Sequence, residues 1–194
     1  MQRIQHRINT LEALKDLPLH LGAEIDLRSQ NGEIILHHDP FSEGDLFKDF
    51  LKLWAEGSRR APLILNTKED GLEPFAEKLL QQFGVSEYFF LDTALPTLVR
   101  KTKGLKKQPY AVRFSEYEPL EFVNLFSEHC DWVWIDSFQG QPYPEEVLKT
   151  LNQNFKTCLV SPELQGFEKE RIQSFLPTRN FYSAVCTKSP ELWD

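Results

Sequence analysis

The chain has 194 residues, of which 41% are hydrophobic, so it is long enough to bury a sizeable core as one domain. Its formal net charge is −7, with 22 Lys and Arg interspersed among 29 Asp and Glu. Broad binding to nucleic acid or to an anionic membrane requires a basic face, so this balance argues against both partners. It leaves open an anionic small-molecule substrate, because a bound cation or one or two basic residues reverse the field inside a cleft.

Cysteine usage and hydropathy favour the cytoplasm. Cys130, Cys158 and Cys186 are odd in number and widely spaced, and no CxxC pair exists, so neither a disulfide framework nor a thiolate zinc site is indicated. Free thiols in a reducing compartment are the simpler interpretation. The N-terminal MQRIQHRINT lacks an apolar signal core, and no stretch approaches a membrane span. We therefore expect a cytoplasmic protein without stable membrane association.

Short apolar runs alternate with amphipathic stretches along the whole chain. The predicted strands are 3–6, 23–27 with 33–37 as a possible extension, 63–67, 87–91, 110–114, 132–136, 157–160 and 181–186. The predicted helices are 10–17, 45–56, 72–83, 95–103, 119–129, 144–154 and 168–175. Eight strands that alternate with helices predict a parallel sheet, and eight units are the number that a closed barrel needs. We expect one compact (β/α)₈ TIM barrel over residues 1–194, with short loops.

Polar residues occur at the ends of the first strands, where a barrel carries its active site. They are His6 and Arg7, Glu24 and Asp26, His38 and Asp39, and Asn66 and Lys68. Glu24 and Asp26 lie two residues apart on one strand, so both side chains project from the same face.

The Glu24–Asp26 pair is costly without a partner, because two ionised carboxylates on one face repel and burying either is unfavourable. A hard divalent cation resolves both problems, since Mg²⁺ sites typically use one or two carboxylates with water and phosphate. Two solvated or salt-bridged acids on an edge strand are the structural alternative, and the spacing alone does not decide between them.

The later strands also end in polar residues, which together predict a polar rim around the barrel mouth. These are Asp92, Arg113, Ser115, Asp136, Ser161 and Glu163. Each alone is typical of a cap or a loop hydrogen bond. Arg113 is the best candidate for a second contact to a substrate anion.

Several motifs together resemble the glycerophosphodiester phosphodiesterase family. HRIN, GAEIDLR, GEIILHHDP and the strand LILNTK occur in the order and spacing of that family, and the closing FYSAVCTKSPELW is similar to its last strand. The motifs cover roughly residues 3–70, and the βα rhythm extends the resemblance to the end of the chain.

The resemblance implies a role for each matching residue. It implies His6 and His38 as the acid/base pair, Glu24, Asp26 and Asn66 at the positions that bind Mg²⁺ or Ca²⁺, and Arg7 and Lys68 as phosphate contacts. His38 is preferred to His37 because it directly precedes Asp39, as in the family's HD motif.

The chain departs from the family pattern at two positions. The family's HRG reads His6-Arg7-Ile8 here, so the loop after the first strand must differ. The acid of the family's E-x-K is Asn66, whose amide oxygen can ligate Mg²⁺ or Ca²⁺ without supplying charge. Metal affinity should fall, or Asn66 should lie beside the ligands in a neutral role.

The resemblance implies metal-dependent hydrolysis of a glycerophosphodiester-like small molecule, an activity of lipid metabolism. Attack by a neighbouring substrate hydroxyl, which gives a cyclic phosphate, and direct attack by water both remain open. The related phosphatidylinositol phospholipase C and sphingomyelinase D barrels make a lipid headgroup an alternative substrate. No exposed apolar loop is evident, which favours a soluble substrate.

Two functions of other classes remain. One is a non-catalytic or weakly active barrel that binds a phosphorylated ligand. The other is a barrel enzyme of sugar metabolism, for which the sequence has no motif. Fold analogy alone supports none of these chemistries, and the sequence indicates no oligomeric state.

Overall fold

The computed structural model describes residues 1–59 and 61–194. Eight parallel strands close into a barrel, because the first strand pairs with both the second and the last. In chain order the strands are β1 Gln2–Gln5, β2 Gly22–Gln30, β3 Glu33–Leu36, β4 Asp45–Leu46, β5 Leu63–Thr67, β6 Tyr88–Leu91, β7 Gln108–Phe114, β8 Cys130–Ile135, β9 Lys156–Val160 and β10 Ala184–Thr187. Strands β3 and β4 lie outside the barrel. The predicted compact (β/α)₈ TIM barrel is confirmed.

Helices connect the barrel strands and cover the outside of the barrel. They are α1 Leu11–Asp16, α2 Phe47–Glu56, α3 Glu73–Gln82, α4 Leu95–Thr102, α5 Leu120–Asn124, α6 Glu145–Asn154 and α7 Ile172–Phe175, with 3₁₀ turns at Pro162–Gln165, Lys169–Arg171, Leu176–Phe181 and Pro190–Trp193. Among the described residues, none of these helices is both long and apolar enough to cross a membrane.

The two-residue period of a strand divides the apolar side chains between two cores. Along β5, Ile64 packs inside the barrel, whereas Leu63 and Leu65 pack beneath the helices. The same alternation directs Asn66 to the barrel interior, above Ile64. The interior is filled by Ile4, Ile64, Phe89, Leu91, Ala111, Trp132, Trp134, Cys158, Val160, Ala184 and Cys186. These side chains form the floor beneath the polar residues of the mouth.

The run 33–37 does not extend the second strand in the same direction but returns antiparallel to it as β3. The reason is the two-residue turn Asn31-Gly32, in which both residues have positive φ (52° and 82°), the requirement of a tight hairpin. Leu36 lies opposite Leu27, and the next N–H, that of His37, donates to the Asp26 carbonyl at 3.0 Å. The hairpin therefore returns the chain to the barrel mouth at the level of Asp26.

Three predicted helices are shorter than expected. The helix predicted at 45–56 begins at Phe47, because Asp45–Leu46 pairs with β3 and the Asp45 carboxylate accepts the Leu11 N–H (2.6 Å) at the start of α1. The helix predicted at 119–129 is confined to α5, and that predicted at 168–175 is divided between a 3₁₀ turn and α7.

Candidate functional site at the barrel mouth

Glu24 and Asp26 point into the barrel mouth from β2, as their spacing predicts. Each side chain is only 1% exposed. The burial excludes the solvated form of the structural alternative but not its salt-bridged form, and each carboxylate needs protein partners or a cation.

Glu24 accepts one hydrogen bond on each carboxylate oxygen. The Arg7 N–H donates to Oε2 at 2.9 Å, and Asn66 Nδ2 donates to Oε1 at 3.0 Å. Asn66 reaches Glu24 because β5 lies beside β2, with Asp26 opposite Asn66. Burial and the neighbouring Asp26 charge raise the pKa of Glu24 to about 7, against the effect of the two hydrogen bonds.

Asp26 is held by Asn9, a residue that the sequence reasoning missed. Asn9 Nδ2 donates to Asp26 Oδ2 at 2.7 Å, and the Asp26 N–H donates to Asn9 Oδ1 at 2.8 Å. Lys68 Nζ lies 3.3 Å from Asp26 Oδ1, outside hydrogen-bonding geometry, and Arg7 Nε lies 3.9 Å from Oδ2. The predicted phosphate contacts Arg7 and Lys68 therefore flank this carboxylate.

His6 follows β1 and lies directly beside the carboxylate pair. Its Nε2 is 3.8 Å from Glu24 Oε2, and its buried Nδ1 has no hydrogen-bond partner among the described residues. Burial, and then the adjacent Arg7 charge, lower the pKa of His6 to about 4. In the loop that follows, Arg7 has a left-handed backbone (φ 57°), a conformation that costs a non-glycine residue about 1–3 kcal/mol.

His38 lies at the edge of the mouth, and its ring hydrogen-bonds to neither Glu24 nor Asp26 in the part of the chain described. Its Nδ1 donates to Asp39 Oδ1 at 2.8 Å, which holds the pKa of Asp39 below its usual value and leaves Nε2 of His38 unengaged by that carboxylate. The ring of His37 is used within the loop, where Nδ1 accepts the Asp39 N–H at 3.0 Å. His38 and Asn9 line the same open depression, and Asn9 in turn hydrogen-bonds to Asp26.

A chain of ion pairs continues from Asp26 around the mouth. Each of the strands β5 to β8 contributes one charged residue to it, at or just after the end of the strand. Lys68 Nζ lies 3.8 Å from Asp92 Oδ2, Asp92 pairs with Arg113, and Arg113 pairs with Asp136. Asp92, like Arg7 at the same rim, has positive φ (59°). The predicted polar rim therefore exists as alternating charges.

Arg113 is engaged by carboxylates on every side, because Glu118 Oε1 also lies 3.9 Å from its Nε. A substrate anion at this guanidinium must compete with Asp92, Asp136 and Glu118. Burial raises the pKa of Asp136 to about 6 although Arg113 opposes the shift, and Gln165 Nε2 donates to its Oδ1 at 2.5 Å. The structure thus gives Arg113 a bridging role that strand-end position alone did not predict.

Single aromatic side chains are exposed at this end of the barrel, within otherwise polar loops. Phe41, three residues after His38, is fully exposed and has positive φ (60°). Tyr117 and Phe138 are also exposed and contact each other, with ring centroids 5.8 Å apart. These aromatic side chains follow strands that end at the mouth, and so the rim is partly apolar.

Glu24, Asp26 and Asn66 fit a hard divalent cation by donor chemistry. Asp26 Oδ1 and Asn66 Oδ1 are buried without a hydrogen-bond partner among the described residues, and oxygen donors suit Mg²⁺ and Ca²⁺. In the part of the chain that the structure describes, no group of three or more His, Cys, Asp or Glu side chains is arranged to hold a metal ion. A cation bound here would have two carboxylates and would complete its shell with neutral oxygens.

No protein-family model matches this sequence, and a search of curated proteins finds no match. The fold is similar to the crystal structure of glycerophosphodiester phosphodiesterase from Agrobacterium tumefaciens str. C58, with a TM-score of 0.70 and 11% sequence identity. The likeness covers 100% of this chain and 98% of that chain. The chain thus has the barrel fold of a glycerophosphodiester phosphodiesterase, as its motifs predicted.

Proposed function

We propose that the protein hydrolyses a phosphodiester, a small glycerophosphodiester-like molecule, at the mouth of its barrel. The observation that carries the proposal is the buried pair Glu24 and Asp26, beside His6 and within 3.3 Å of the Lys68 ammonium. Buried carboxylates surrounded by cationic groups form a site that accepts a metal ion and an anion together.

Glu24, Asp26 and Asn66 would hold Mg²⁺ or Ca²⁺ in this function. When bound, the cation supplies Lewis-acid stabilisation of the phosphate charge. Asn9 keeps Asp26 in a single orientation, and the Arg7 N–H does the same for Glu24. Lys68 binds a phosphate oxygen while it remains near Asp26, and the guanidinium of Arg7 approaches the substrate from the exposed side.

His6 and His38 serve as the acid/base pair from opposite sides of the phosphate. His6 Nε2 lies beside Glu24, so this ring accepts the proton of the attacking hydroxyl. His38 donates a proton from Nε2 to the leaving oxygen, with Nδ1 fixed by Asp39. The two histidines act in the same way whether the nucleophile is a neighbouring hydroxyl or water.

A second candidate is a barrel that binds a phosphorylated ligand without turnover. The observation that favours it is Asn66, which donates to Glu24 and supplies no third negative charge. A weakly held cation would still permit anion binding at Lys68 and Arg7. In both functions the acidic surface favours a small soluble ligand in the cytoplasm over nucleic acid or a stable membrane complex.

The experiment is an activity screen of purified protein with bis-p-nitrophenyl phosphate and glycerophosphodiesters, in Mg²⁺, Ca²⁺ or chelator. We expect metal-dependent release of one alcohol, lost in Asp26→Ala. Glu145→Gln is the control, because Glu145 is an exposed helix carboxylate that pairs with Lys149 on the same helix. Binding of phosphate without hydrolysis of any diester would favour the second candidate.

A further inference from the structure

Strand β2 carries a third inward residue beyond the carboxylate pair. Arg28 lies two residues after Asp26 on the same face and is half-buried. Its Nε donates to the carbonyl oxygen of His38 at 3.0 Å, and its Nη1 approaches the carbonyl oxygen of Lys68 at 3.4 Å. One guanidinium thus joins the backbones of two residues that contribute side chains to the site.

The position follows from the way the sheet divides beside β2. Leu27 is paired on one side with Leu36 of β3 and on the other with Thr67 of β5. One residue further, the Lys68 N–H still donates to the Leu27 carbonyl at 3.0 Å, and the segments that follow β3 and β5 then leave the sheet, while β2 itself stays paired with β3 as far as Gln30. Carbonyls beyond the end of a ladder need other donors. Arg28 supplies them on both sides.

We propose that Arg28 is a positioning residue that fixes the His38 and Lys68 backbones relative to each other, an inference that rests on the proposed function for its catalytic consequence. His38 belongs to an antiparallel hairpin and Lys68 to the loop after a parallel strand, so each follows a separate segment. The rigid fork of arginine couples these segments as no single-point donor can. A displacement of about 1 Å between catalytic groups costs roughly 10²-fold in rate.

The clamp itself is tested without any substrate, by hydrogen exchange on wild type, Arg28→Gln and Arg28→Lys. We expect the His37 and Lys68 amides to exchange faster in Arg28→Gln than in wild type. Both amides donate to carbonyls of β2, and they lie next to the His38 and Lys68 carbonyls that Arg28 binds. Arg59→Gln is the matched control, because Arg59 donates to the carbonyls of Pro18, Leu14 and Leu17 at the opposite end of the barrel. Unchanged exchange at both amides in Arg28→Gln would overturn the clamp.

Kinetics then test the catalytic consequence. Arg28→Gln should lower kcat for a glycerophosphodiester by about 10–100-fold with little change in KM, and Arg28→Lys should restore part of it. The loss should be smaller with bis-p-nitrophenyl phosphate, whose leaving group needs no proton from His38. In a His38→Ala background the same substitution should have little further effect, since the two act as one unit.

Equal losses on both substrates that persist in the His38→Ala background would mean that Arg28 does not act through His38, and would overturn the proposed coupling of His38 to Lys68. If wild type hydrolyses no diester, the proposed function fails, and the exchange experiment still decides whether the clamp exists.

Discussion

Asn9 and Asp26 hold each other through a reciprocal pair of hydrogen bonds, side chain to carboxylate at 2.7 Å and backbone N–H to amide oxygen at 2.8 Å. The pair joins the loop after β1 to the centre of β2. It also fixes one Asp26 oxygen and leaves Oδ1 directed towards Lys68. Asn9 is therefore part of the site although it contributes neither charge nor proton transfer to it.

Asn9→Ala should weaken binding of Mg²⁺ or Ca²⁺ by about 10–100-fold, the usual cost of losing a group that orients a ligand. The reason is that Asp26 loses the contact that holds its orientation. Isothermal calorimetry measures the effect, with Asn152→Ala as control, because Asn152 makes a comparable bond to the Phe181 carbonyl away from the mouth. Equal metal affinity in wild type and Asn9→Ala would show that Asp26 needs no such support.

The adjacent histidines should differ sharply in their effect on rate. His38→Ala should lower kcat by about 10²–10⁴-fold, the typical contribution of general acid catalysis. His37→Ala should cost much less, because His37 Nδ1 is occupied within the loop, where it accepts the Asp39 N–H. Steady-state kinetics on a glycerophosphodiester compare the two variants. Full activity in His38→Ala with loss in His37→Ala would reverse the assignment.

Asp136 should make the protein lose stability as pH rises. Its folded pKa of about 6 lies above the roughly 3.9 of an unfolded aspartate, so the folded state binds more protons between these values. The contribution is therefore largest near pH 4, falls as pH increases to about 6 and is constant above. Arg113, Asp92 and Gln165 face this carboxyl, and all three are retained in the Asp136→Asn variant that serves as the reference.

Chemical denaturation of wild type and Asp136→Asn at several pH values measures this contribution. The stability of wild type relative to the variant should decrease by about 2–3 kcal/mol between pH 4 and pH 7, from about 1.4 kcal/mol per pKa unit. A difference that is independent of pH would show that the Asp136 carboxyl titrates normally in the folded protein.

The sequence predicts those parts of the site that depend on strand periodicity. Glu24 and Asp26 share a face because side chains alternate along β2, and Lys68 meets them because β5 ends beside β2. Asn9 and Arg28 are not predicted, because Asn9 lies in the loop after β1 and Arg28 binds the carbonyls of two loop residues, and a residue pattern does not specify where a loop places its side chains or carbonyls. Long-range contacts of this kind have no local sequence signal.

The hairpin illustrates the same limit at the level of the fold. The run 33–37 has strand character, but its direction depends on Asn31-Gly32, whose two positive φ angles turn the chain back on itself. Arg113 is a similar case, since its position at a strand end was predicted whereas its carboxylate partners come from three other segments.

The last prediction concerns Asn66, which lies opposite Asp26 in the sheet and donates to Glu24. Asn66→Glu should bring a third carboxylate to the mouth and tighten Mg²⁺ or Ca²⁺ binding by about tenfold or more, since cation affinity depends on ligand charge count. Without metal the same change should destabilise the barrel, because Glu24 loses its amide donor and gains a buried negative neighbour. Metal titration and thermal melting, each with and without the cation, measure the two effects on one variant. Added metal should raise the melting temperature of Asn66→Glu by more than it raises that of wild type. Unchanged metal affinity together with a lowered melting temperature would mean that Asn66 only orients Glu24 and does not face the cation.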